Sequence, residues 1–137
     1  MENKLVGVLL MLVGVGMISL MTPVVAHHAF SAEFDAEKPV SLRGTVYRME
    51  WINPHSWIHI DVEESDGTLT RWMIEGGPPT GLLRRGFTKD SLPPGMEVLV
   101  EGFQAKDDSY RANGRDITFP DGKKLFMGSS GTGAPIN

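Results

Sequence analysis

The chain has 137 residues, 13 Lys and Arg against 17 Asp and Glu, a net charge of -4 and no cysteine. That length holds one modest core, and the missing thiols exclude disulfides, thiolate metal sites and cysteine nucleophiles. The mild acidity argues against a surface built to neutralise phosphates, so no nucleic-acid partner is expected.

Residues 1–26 read as a signal peptide. Lys4 precedes an apolar run from Leu5 to Met21, Thr22-Pro23 interrupts it, and Val24 and Ala26 set small residues at the cleavage positions. Cleavage after Ala26 gives a periplasmic or secreted protein with no stable membrane insertion. The apolar run is long for a signal core and short for a span of about 20 residues. An uncleaved N-terminal anchor is therefore the alternative.

After the signal, a leader from His27 to Pro39 carries His27-His28-Ala29-Phe30 and Glu33-Phe34-Asp35. Phe30 and Phe34 are expected to pin it to the domain as a helical turn or extended arm. The domain itself is expected over residues 40–127. Val40 to Trp51 alternates, with Leu42, Gly44 and Val46 on one face, and Gly44 points to a bulge or tight bend. Asn53-Pro54-His55 makes a turn, because Pro54 fixes its own φ and biases Asn53 away from the helical region. Trp57 to Glu64 is the next strand, with Ile58, Ile60 and Val62 opposite Trp57, His59 and Asp61. Asp66-Gly67 turns the chain into a third strand, Thr68 to Glu75.

Gly76-Gly77-Pro78-Pro79 ends this meander. Thr80 to Gly86 reads as a short helix stopped by Gly86, with Leu82 and Leu83 as an apolar edge fit to plug a barrel end. Strands follow at Met96 to Phe103 and at Arg111 to Phe119, with a short edge strand at Lys123 to Met127. The tail from Gly128 to Asn137 is Gly- and Ser-rich, a composition that reads as flexible. Three strands, a helix and two strands is the order of an OB-type barrel, an all-β, five-stranded Greek-key fold. An open β-sandwich is the other candidate.

The segments His27-His28-Ala29-Phe30, Phe34-Asp35, Lys38-Pro39-Val40, Gly44-Thr45-Val46 and Glu50-Trp51 with Asn53-Pro54-His55 resemble one family. Leu82-Leu83-Arg84-Arg85-Gly86 and Pro120-Asp121-Gly122-Lys123 with Leu125-Phe126 extend the resemblance over the whole mature domain. The family is an exported bacterial one, catalogued as domain of unknown function 6152. The resemblance implies a periplasmic or secreted protein of OB-like shape and no established activity.

Three groups of side chains are candidates for function. His27, His28, His55 and His59 are all the histidines, and imidazoles with a free amine are ligands for Cu or Zn. If the extended backbone begins at the turn, His55 and His59 share a face, and a leader folded back over the turn brings the imidazoles together. Otherwise His55 caps the turn, His59 pairs across strands, and His27 and His28 are a loose start. Trp51 and Trp57, with Trp72 and Tyr47, lie on the strands that OB barrels use to hold ligands, although core packing explains Trp72 equally well. Arg84 and Arg85, near Lys89, form a compact basic cluster that either docks an anionic ligand or partner, or complements a helix end.

No pair among Asp35, Asp61, Glu63, Glu75, Asp116 and Asp121 has a hydrolase context, and no nucleophile elbow surrounds Ser31 or Ser56. The expectation is a small exported binding domain without enzymatic activity, acting through protein or small-ligand contacts. Its alternative is a periplasmic copper-binding protein.

Overall fold

The computed structural model describes residues 30–128. A helical turn at residues 30–33 leads into β1 (Phe34–Glu50), followed by β2 (Trp57–Glu63), β3 (Leu69–Glu75), helix α1 (Pro79–Arg84), β4 (Glu97–Ala105), β5 (Arg111–Thr118) and β6 (Lys124–Phe126). All neighbouring pairs are antiparallel except one. The start of β5 runs parallel to the end of β3, through Met73 opposite Arg111, Ile74 opposite Ala112 and Glu75 opposite Asn113. That contact closes a ring in the order β1-β2-β3-β5-β4, with β6 added along the second half of β5. The fold is all-β, as expected, and ring closure sets aside the open sandwich.

Alternation puts Leu42, Val46, Ile58, Ile60, Trp72, Ile74, Val98, Val100 and Ile117 in the core. A strand that kept strict alternation past Val46 would turn Arg48 and Glu50 inward. The register instead slips between Val46 and Arg48, so Tyr47 is the extra residue of a bulge. Met49 then packs against the core, while Arg48 and Glu50 share the outer face with His59 and Trp57. The bulge expected at Gly44 is thus three residues further on. Gly44 serves close approach instead, since a Cβ there would lie 2.8 Å from the backbone oxygen of Asp61.

The ring end is filled from the connection between β3 and β4. Leu82 is buried, but Leu83 is exposed, so the helix offers one plug residue rather than two. One and a half turns cannot turn adjacent side chains inward. Phe87 and Leu92, from the irregular segment after α1, supply the rest. Among the described residues no helix is long and apolar enough to cross a membrane.

Candidate functional site

The outer faces of β2, β3 and the start of β5 carry a polar cluster. Cross-strand partners point the same way, so Trp57 and Glu75, His59 and Met73, and Asp61 and Arg71 all face outward. Asn113 and Arg111 join them through the parallel β3–β5 contact. His55 reaches the same corner from the turn before β2, which contains the cis Asn53–Pro54 peptide.

At the centre is Glu75. Its Oε1 lies 2.7 Å from His55 Nδ1 and accepts a hydrogen bond from Asn113 Nδ2 at 3.3 Å. Glu75 is only 7% exposed and Asn113 3%, although both sit on the outside of the ring. The leader lies beside this corner and is tied to β4 and β5. Phe30 stacks on Phe34, with ring centroids 5.9 Å apart, and meets the edge of Phe103 at 5.8 Å. Lys106 donates its backbone N–H to the Glu33 carbonyl and its Nζ to the Ser31 carbonyl. Arg111 donates to Glu33 Oε2 at 2.8 Å, with its guanidinium carbon 6.0 Å from the Phe34 ring and 5.5 Å from the Trp57 ring. Residues 30–34 therefore form a strap held against β4 and β5, with an aromatic side and an ion pair to Arg111.

Burial pushes the Glu75 carboxyl above the usual carboxylate range, and the nearby Glu33 adds to this while His55 and Arg111 oppose it. If His55 Nδ1–H faces Glu75, Nε2 carries the lone pair on a ring that is 31% exposed. His59 differs in kind. It is 5% exposed, its Nε2 lies 3.1 Å from Glu50 Oε1, and Glu50 is also held by Arg48. Burial, and then the positive Arg48, hold its pKa below the ordinary histidine value.

These shifts have opposite consequences for stability. Glu75 holds its proton more tightly folded than unfolded, so its contribution is present below the ordinary carboxylate pKa of about 4.3 and is lost as pH rises through the raised value. The His59 contribution is present above about pH 6.5 and is lost as pH falls through the lowered value. In urea melts from pH 4 to 8, Glu75→Gln is expected to remove the loss on the alkaline side and His59→Asn the loss on the acid side. A Glu75→Gln profile parallel to wild type would show that folding does not raise the Glu75 pKa.

The candidates named from the sequence thus separate. His27 and His28 lie outside the described residues. His55 and His59 engage different carboxylates, and among the described residues no three His, Asp or Glu side chains gather closely enough to hold a metal. Trp57 borders the polar corner, Trp51 packs against the core from the side, and Trp72 is buried within it. Arg85 donates to the Gly128 carbonyl and lies over the Phe126 ring at 4.6 Å, which ties down the chain after β6, while Arg84 is exposed.

Sequence reasoning missed Arg111, Asn113 and Glu33, and it set Glu75 among the unremarkable acids. Their only local signal was the outward parity of Glu75 at the end of a strand. The parallel contact that joins them links residues far apart in the chain. Grooves of about 390 and 490 Å³ lie elsewhere, along β4 and β5, and their rims include the Arg43–Glu97 and Lys124–Glu101 pairs. Neither groove is lined by a histidine or tryptophan.

A closed five-stranded all-β domain with a polar corner beside an N-terminal strap is the class these features define. A family of unknown function, DUF6152, matches residues 15–114, and the chain belongs to that family. No curated protein and no solved structure matches the chain.

Proposed function

We propose that the protein is a small exported binding domain, without catalysis of its own, whose recognition site is the His55 corner. The observation that carries this reading is the Glu75–Asn113 pair, buried on the outside of the ring and opening to solvent through His55 beside Trp57. Burying polar groups outside a core costs stability, and among the described residues Asn113 Oδ1 has no hydrogen-bond partner. A ligand that stacks on Trp57 and bonds with His55 would reach the buried pair through the imidazole. The outer face of the second and third strands is also where OB-type rings bind ligands.

The test is a two-dimensional NMR titration of the exported protein with chitotetraose, a short acidic peptide, Zn(II) and Cu(II). The expected result is that one probe moves the Trp57 indole and Asn113 side-chain signals, with binding at least about tenfold weaker in Trp57→Ala. Shifts that map instead to the grooves along β4 would overturn the site. A transition metal is the second reading, favoured by the way Glu75 orients the His55 ring.

A further inference from the structure

We infer that Arg85 is the centre of a second binding site, at the helix end of the ring, and that its ligand is a carboxylate. None of the groups that hold Arg85 belongs to the His55 corner, so the two sites stand or fall separately.

Arg85 is a half-buried cation without a counter-ion. Arg43, Arg48, Arg71, Arg111 and Arg115 each lie within reach of a carboxylate, and Arg84, which does not, is exposed. The contacts of Arg85 among the described residues are the Gly128 carbonyl and the Phe126 ring, with no Asp or Glu. The one acidic side chain outside those residues is Glu2. Charges removed from water are ordinarily paired, and burial holds this guanidinium below the usual arginine range.

Its contacts use only part of the guanidinium. Nη1 donates to Gly128, and the plane lies over Phe126 at 4.6 Å, which fixes its orientation. The helix end makes no claim on it. The last carbonyls of α1, those of Leu82 and Leu83, accept the backbone N–H groups of Arg85, Gly86 and Phe87. Nε and Nη2 donate to no group among the described residues and are not enclosed. Together they form one edge of the guanidinium, the planar fork that matches the two oxygens of a carboxylate.

The rim is backbone on the side of Nη1. A Cβ on Gly77 or Gly81 would lie 3.5 or 4.0 Å from that nitrogen, so no side chain stands there. Gly77 is fixed in place, because it donates to the Met127 carbonyl and accepts from the Ser56 N–H. A monoanion suits the site better than phosphate does. One arginine offers one fork, and the net charge of -4 repels a dianion more strongly.

The test follows the arginine Nε–H signals of the nitrogen-labelled exported protein by NMR. Sodium acetate, inorganic phosphate and a short neutral peptide are added separately at constant ionic strength. The expected result is a saturable shift of the Arg85 signal and the Gly77 amide with acetate, without saturation at Arg84. Arg85→Lys keeps the charge but not the fork, and should weaken binding about tenfold, the loss of one charge-assisted hydrogen bond. Arg84→Ala should stay within about twofold of wild type. Tighter binding of the peptide than of acetate, lost when its C-terminus is amidated, would name a chain end as the ligand, whereas equal binding would name a small organic acid. Absence of saturation at Arg85 in wild type up to about 100 mM acetate would overturn the site, whatever the variants do. Phosphate binding as tightly as acetate would overturn the carboxylate assignment, as would undiminished binding by a folded Arg85→Lys.

Discussion

Gly102→Ala is expected to leave little folded protein, although it adds a single methyl group. Gly102 on β4 faces Gly114 on β5, next to the register slip that makes Arg115 the extra residue of a bulge. A Cβ at Gly102 would lie 2.2 Å from the carbonyl oxygen of Asn113, 3.0 Å from its carbon and 3.1 Å from Gly114 Cα. All three are backbone atoms, so no rotamer change relieves the clash. β5 must move by about 1 Å, and it is the strand that closes the ring against β3. Overpacking in a well-packed interior costs about 1–3 kcal/mol and sometimes more. A backbone clash at the closing strand belongs at or above the top of that range, against a total stability of about 5–15 kcal/mol. The displacement would also pull Asn113 away from Glu75. Urea unfolding followed by tryptophan fluorescence checks this, with the exposed Leu69→Ala as a control expected within about 0.5 kcal/mol of wild type. A Gly102→Ala midpoint equal to that of the control would show that β5 yields easily.

The second large effect is expected at Phe34→Ala. Phe34 is 2% exposed, yet it lies apart from the central core, in a satellite cluster with Phe30 and Phe103. Truncating a fully buried phenylalanine costs about 3–5 kcal/mol. The variant should also loosen the strap and admit water to Glu75, whose carboxyl would then titrate nearer its ordinary range. The two effects have separate readouts: the urea midpoint for packing, and the Glu75 side-chain carbon shift against pH for the strap. If stability falls but the Glu75 titration does not move, something other than the leader buries that carboxyl.

Much of the ring was legible because strands write their faces into the sequence. The alternation of Leu42, Gly44 and Val46, and of Ile58, Ile60 and Val62, marks two strands, and Asp66-Gly67 marks the hairpin between β2 and β3. The bulge at Tyr47 was less legible. Its signal is that Met49, rather than Arg48, continues the apolar face, one position out of phase with Val46. At the site, His55 and Trp57 stand out by residue type, whereas Asn113 and Arg111 are ordinary polar residues in a short strand. They matter because β5 lies beside β3, and that adjacency has no local sequence signature.

The amino-acid sequence by itself determined the succession of strands along the chain, the hairpin turn and the inward face of most strands, since periodicity and turn chemistry act over a few neighbouring residues. Only the tertiary structure decided which polar side chains meet. Parallel closure of β5 on β3 and the ion pair of the leader with Arg111 place Glu33, His55, Glu75, Arg111 and Asn113 in one corner. It also decided that His59 stands apart, because the bulge at Tyr47 turns Glu50 and Arg48 toward it. Contacts of that kind depend on strand pairing across long separations, and chain connectivity sets them only once the ring has closed.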